Sequence, residues 1–423
     1  MMNKQSLNQH IMKKQILLTA AAVAVAISAS AQASVVKDAE RAAKDGKDAA
    51  QVLTIITPAF SDPETATQAL TYYVPGKAFY SEYDNLFGLK QFNKLPENGD
   101  KTMSDDLIQG YELLVKALPL DTVVDAKGKV KTKHSKDIVA TVTGHVSDLN
   151  SAAVAYWGLQ EYANAYKAWD IFLNLYETEP FAATLAKSAP HDTILGEVAY
   201  NQALAAWQAD MLPQSLKAFD RAKAKGYSKK QMYDYALAVA NNANNQDAVF
   251  SWAEAALALY PEDPTYLGFI INTYLQNKEF DKAFATINKA IDTDPNNAQY
   301  YLIKGILYDN QEKKPEAKDA FAKAIALDGE NTGALTQYGA ALCQEAYTLS
   351  DQAPTTPDEN AAFYTNRIRP LFEEAATYLE KAWKIDMEKN ETNNQEALRY
   401  LENIYYNLQD EAKQADVEAR KSY

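Results

Sequence analysis

Small and apolar positions recur with a fixed period through the middle of the chain. Ser215, Val249, Ala283 and Ala317 stand 34 residues apart, as do Phe219, Ala253, Ile287 and Phe321, and a third series joins Ala222, Ala256, Ala290 and Ala324. Steps of three to four within each period put these residues on one face of a helix. Upstream of each lies a second stripe: Leu267, Ile271 and Tyr274 in one period, and Tyr301, Gly305 and Tyr308 in the next. Each period therefore predicts two antiparallel helices, which approach closely through small residues while one larger group fills the adjoining hole. Pro261, Pro295 and Gly329 follow the second helices, where proline cannot continue a helix and glycine accepts a left-handed cap. Asn277-Lys278-Glu279-Phe280 and Pro295-Asn296-Asn297 supply the polar residues of short turns.

These residues carry a resemblance. From Leu195 to Ala324 the chain resembles tetratricopeptide repeats, with Tyr274, Phe280, Ala283, Ala290 and Pro295 on the signature positions of the stretch from Pro264 to Pro295. The run from Val146 to Tyr176 is similar through Ala153, Tyr156, Tyr162, Ala165 and Trp169, although Phe172 replaces the usual small residue. The resemblance implies an all-α solenoid of helical hairpins wound into a right-handed superhelix, and a noncatalytic role in holding a protein partner.

Outside the regular periods the pattern predicts four regions. Residues 1–31 read as a targeting segment: Lys13-Lys14 precedes an apolar run from Ile16 to Ile27, and Ala29-Ser30-Ala31 offers small residues for cleavage near Ala31. That run is too short to span a bilayer about 30 Å thick, so the expectation is a soluble periplasmic protein of the bacterial envelope with no stable membrane insertion. Residues 32–140 form a degenerate, repeat-like region. Helices are expected there at Val35 to Ala43, Ala49 to Ile56, Thr67 to Tyr80 and Leu107 to Leu118, with a helix start at Ser61-Asp62-Pro63-Glu64 and a long connection from Asn85 to Met103. Thr122 to Lys133 reads as a small β-hairpin about Lys127-Gly128. Residues 141–423 form the array, with insertions at about 177–193 and 347–370, a loop at Ala353 to Pro357, a short helix from Asn360 to Arg369, and a capping helix pair from Glu396 to Lys421.

The chain carries a formal charge of −14. That excess disfavours nucleic acid, whose binding needs a basic face to displace counterions, and serves solubility instead. The one basic cluster comprises Lys127, Lys129, Lys131, Lys133 and Lys136 with His134, and reads as an exposed ribbon whose lysines discourage edge pairing. Cys343 is the only cysteine, which forbids an internal disulfide; it reads as a packed small residue. His10, His134, His145 and His191 lie far apart, none with a second ligand at metal spacing, and there is no phosphate loop or nucleophile elbow. No catalytic residue, metal site or cofactor is expected.

The resemblance places the binding groove on the exposed face of each first helix. Helical spacing assigns to it Tyr200, Asn201 and Trp207, then Tyr235, Asn241 and Asn242, then Phe269, Asn272 and Gln276, then Asp309 and Asn310. Amides that bond a backbone, beside rings that cover side chains, suit an extended peptide segment, and they also permit a glycan. Some relatives clamp a terminal carboxylate with basic groove residues. Here Tyr200, Asp234, Gly268 and Leu302 occupy the corresponding positions, which excludes that mode.

Overall fold

The computed structural model describes residues 34–124, 127–389 and 393–421. The expected targeting segment and cleavage region lie outside these residues. The chain divides into two compact units, Met1–Ala243 and Asn244–Tyr423.

Unit 1 opens with α1 (34–44) and α2 (Ala49–Ile56), followed by α3 (Ala69–Gln91) and α4 (Gly99–Ala117). Asp48 starts α2 by accepting a 2.7 Å hydrogen bond from the Gln51 N–H. Val36, Ala39, Val52, Ile56 and Val74 bury together and tie the first three helices. The helix start expected at Asp62 is a single 3₁₀ turn, Thr65–Thr67, with Asp62 accepting from the N–H groups of Glu64 and Thr65.

The long connection expected from Asn85 to Met103 is much shorter. α3 runs on to Gln91 and α4 begins at Gly99. Buried Tyr83 holds the late turns of α3, stacking on Phe87 with ring centroids 6.1 Å apart, and Lys90 reaches Asp100 at 2.6 Å. Apolar periodicity misses these turns because Phe87 and Leu89 are exposed and the start of α4 is polar.

The hairpin pairs β1 (Val123–Val124) with β2 (Val130–Lys131), antiparallel, with Val123 opposite Lys131 and Val124 opposite Val130. Asp121 fixes its base: one carboxylate oxygen accepts from the N–H groups of Lys133, His134 and Ser135 at 3.0, 2.6 and 2.6 Å, and from the Ser135 hydroxyl at 2.8 Å. Burial opposes that charge, but the bonds from Ser135 and His134 outweigh it and hold the carboxyl below its usual range. α5 (Ser135–Gly144) follows, then the pair α6 (Val146–Gly158) and α7 (Tyr162–Leu175), the short α8 (Phe181–Leu185), the pair α9 (Asp192–Gln208) and α10 (Leu212–Ala224), and α11 (Lys230–Asn242).

Unit 2 begins with α12 (Gln246–Leu259) and continues with the pairs α13 (Pro264–Gln276) and α14 (Phe280–Thr293), and α15 (Ala298–Asn310) and α16 (Lys314–Leu327). α17 (Thr332–Ser350) packs against α19 (Arg369–Lys389), with α18 (Pro357–Phe363) and a π-helical turn, Tyr364–Ile368, between them. α20 (Gln395–Leu408) and α21 (Glu411–Lys421) end the chain. The resumed pattern at Ala375, Leu379 and Ala382 is fully buried in α19.

The periodic residues do what their spacing requires. Ser215, Phe219, Val249, Ala253, Ala283, Ile287, Ala317 and Phe321 are all buried on second helices. Two further periodicities hold the turns. Asp263, Asn297 and Asn331 each cap the following first helix, accepting from the N–H of Thr265, Gln299 and Ala334 at 2.9, 3.0 and 2.9 Å. The turns before α7 and α10 pass through left-handed Gln160 and Asp210, and those before α12, α14 and α16 through Asn244, Lys278 and Glu312, at φ between 51° and 60°.

Candidate functional site

Unit 2 holds two sizeable recesses. Between α13 and α15 lies a cleft of about 750 Å³, also lined by Leu327 at the end of α16 and by Asn296, Asn297, Asp328 and Asn331 of the interhelix turns. Ile271 and Ile303 form its apolar floor, with Leu275 and Ile306 beside them, while Thr265, Asn272 and Gln299 supply polar groups. The caps immobilise part of this lining: the Asn297 and Asn331 side-chain oxygens are spent on helix starts, and the Asn331 amide donates to Gln299 Oε1 at 3.4 Å. Asn272 is exposed and its side chain makes no hydrogen bond among the described residues, so its amide can serve a ligand. Asp328 is the one charged group in the lining.

A second recess of about 640 Å³ in unit 2 is strongly charged. Lys314 pairs with Asp309 at 2.8 Å and Lys318 with Glu345, and Gln337, Gln344 and Tyr400 complete the walls.

In unit 1 a recess of about 290 Å³ is nearly all apolar, lined by Val154, Trp157, Trp169, Asn201 and Leu204. Trp157, 36% exposed, meets Tyr162 edge-on at 5.1 Å and leans on Trp169, whose indole N–H donates to Asn150 at 2.8 Å.

The residues assigned from helical spacing scatter among these places. Asn272 lines the α13–α15 cleft, Asp309 the charged recess and Asn201 the aromatic one. Trp207 and Tyr235 pack edge to face, with centroids 5.4 Å apart. Asn241, Asn242 and Gln276 are exposed, Phe269 is half-buried, and Asn310 turns back to donate to the Ile306 carbonyl at 2.9 Å. Tyr200, expected on the open face, is instead buried. Its ring stacks on Tyr227 at 4.9 Å and packs against Phe219, and burial pushes the phenol up to about 12. Residues missed in the assignment include Thr265, Gln299, Ile306 and Asn331. The 34-residue spacing of Asp263, Asn297 and Asn331 marks the rim they belong to.

Cys343 lies buried in the core of Leu342, Phe372, Leu379 and Leu401, and burial alone pushes its thiol up to about 12. Among the described residues no group of three or more His, Cys, Asp or Glu could hold a metal ion.

The helices that build the α13–α15 cleft coincide with a known family. Residues 272–297 and 298–331 match the profile of the tetratricopeptide repeat. Residues 272–331 carry two tetratricopeptide repeats. Such repeats generally serve as noncatalytic scaffolds for protein interaction.

No curated protein matches the chain. Solved structures similar to it include YrrB, a TPR protein with an unusual peptide-binding site, at 16% identity over 44% of this chain and 88% of that one, with a TM-score of 0.30. Pseudomonas aeruginosa pilF is 13% identical over 54% and 91%, with a TM-score of 0.37. The C-terminal part of a TPR repeat-containing protein from Cytophaga hutchinsonii is 17% identical over 70% and 98%, also at 0.37. Likenesses at these values say nothing of function.

Proposed function

We propose that this repeat protein is a noncatalytic scaffold of the bacterial envelope that captures an extended peptide segment of a partner protein in the α13–α15 cleft. One observation carries the reading: an open cleft of about 750 Å³, formed between α13 and the matched repeats, in which the unengaged Asn272 amide stands beside the exposed edges of aliphatic side chains. A peptide needs both, since amides pair with its backbone and apolar pockets select its side chains. Export is supported by Lys13-Lys14, the apolar run from Ile16 to Ile27 and Ala29-Ser30-Ala31. No helix among the described residues is long and apolar enough to cross a membrane.

The test is a crosslinking pull-down from the envelope fraction, comparing the wild type with an Asn272→Ala, Gln299→Ala variant of unchanged circular dichroism. The expected result is loss of a defined protein partner in the variant. An identical partner set with both proteins would overturn the assignment to this cleft.

A second reading, glycan binding, is favoured by the aromatic recess of unit 1, where half-exposed Trp157 stands beside Asn201. Binding on a glycan array that is lost in Trp157→Ala would establish it, and a blank array would dismiss it.

A further inference from the structure

Glycine inside a helix lowers its stability relative to alanine, so each such glycine calls for a reason. For most of them the reason is packing. A Cβ on Gly305 would overlap the Phe321 ring, one on Gly339 the Leu379 side chain, one on Gly110 the Tyr80 ring, and one on Gly76 the Leu114 side chain. Gly268 is different. It lies in the body of α13 next to buried Leu267, its φ is not in the left-handed region, and a Cβ there would meet nothing within 4 Å. The open space over it is the α13–α15 cleft, which Gly268 lines. Gly88 in α3, and Gly144 and Gly158 at the ends of α5 and α6, share that freedom but line none of the recesses above.

We infer that Gly268 determines specificity: by leaving the α13 backbone bare, it lets an extended peptide segment without acidic residues lie directly against the helix. This rests on the peptide reading of the cleft. The segment's backbone meets Asn272 and Gln299, and an aliphatic side chain reaches toward Leu275 and Ile306. The electrostatics choose among segments. The lining contains no lysine or arginine and one carboxylate, Asp328, within a chain of net charge −14. An acidic segment would enter unpaired and repelled, and desolvating a carboxylate without a partner is costly. A side chain at 268 would fill the space a ligand's main chain needs, while favouring the helix itself.

The probe is a displayed library of random 12-residue peptides selected against the full chain. Enriched peptides are then synthesised and titrated against wild type, Gly268→Ala, Gly268→Leu and Asn272→Ala, each checked by thermal melting. The inference predicts enriched peptides poor in Asp and Glu, affinity falling at least threefold in Gly268→Ala and more than tenfold in Gly268→Leu, and a melting temperature no lower than wild type in Gly268→Ala. Peptides that bind Gly268→Leu within twofold of wild type but weaken in Asn272→Ala would overturn the role of Gly268 and leave the cleft reading standing. Peptides indifferent to all three variants, or no enrichment at all, would overturn both.

Discussion

Gly305 of α15 lies flat against the ring of Phe321 on α16, so close that a methyl group on Gly305 would overlap the ring's Cε1 and Cδ1 atoms. Phe321 is 1% exposed and cannot swing aside into water. Gly305→Ala is therefore expected to destabilise the fold by roughly 1–3 kcal/mol through overpacking. Gly268→Ala, on the equivalent helix of the preceding repeat, is expected to stabilise it by about 0.5–1 kcal/mol because nothing opposes the new methyl. Urea denaturation of the two variants reads the opposite signs directly. Destabilisation by both would refute the account of Gly268.

The left-handed turn residues offer a second measurement. Lys278 and Glu312 hold φ of 58° and 59°, a region where a Cβ crowds the following carbonyl. Glycine relieves that crowding, so Lys278→Gly and Glu312→Gly are each expected to raise stability by up to about 1 kcal/mol. Because repeat arrays sum nearly independent units, the double variant should show close to the summed gain. A loss from either substitution would show that its side chain, and not the backbone, governs the turn.

A buried acid makes stability depend on pH. Asp106 in α4 is 7% exposed, one of its oxygens has no hydrogen-bond partner, and burial, with the charges of Glu82 on α3 and Asp105, pushes its carboxyl up to about 7. In the unfolded chain the same group ionises near pH 4. Between these values the folded state keeps a proton that the unfolded state has released, so this group's contribution falls as pH rises from about 4 to 7 and levels off above. Asp106→Asn should therefore gain on the order of 2 kcal/mol over wild type at pH 8 and lose that advantage by pH 4. Thermal melts of both proteins across this range test it, and a pH-independent difference would contradict it.

Cys343 should behave as core. With its thiol pushed up to about 12 and its side chain 2% exposed, it is expected to resist a thiol-specific reagent at pH 8 until the protein unfolds. Rapid native labelling would reveal an accessible thiol.

The repeat was legible because packing leaves a periodic trace: Ser215, Val249, Ala283 and Ala317 are small for one geometric reason repeated, and all are buried. The caps at Asp263, Asn297 and Asn331 and the turn residues Asp210, Asn244, Lys278 and Glu312 leave the same trace in polar residue types, which a search for apolar periodicity passes over. The late turns of α3 and the first turn of α4 left no apolar trace, since they are held by Tyr83, the Lys90–Asp100 pair and helix continuity. Site residues were harder to read because helical spacing gives a direction but not a neighbour. Spacing put Tyr200 on the open face, yet its ring packs against Phe219 of α10 and under Tyr227 from the turn after α10. Gly268 shows the reverse, since a missing side chain signals a cleft only once the surroundings are known to be empty.

The most direct test of the central claim is site-specific photo-crosslinking in cells. A photoreactive amino acid replaces Asn272 in the cleft or, as control, exposed Lys289 on α14, each with and without Gly268→Leu. Peptide capture in the α13–α15 cleft predicts a discrete protein adduct from position 272, its loss on adding Gly268→Leu, and none from position 289. Adducts from 289 alone, or an adduct at 272 that survives Gly268→Leu unchanged, would contradict it.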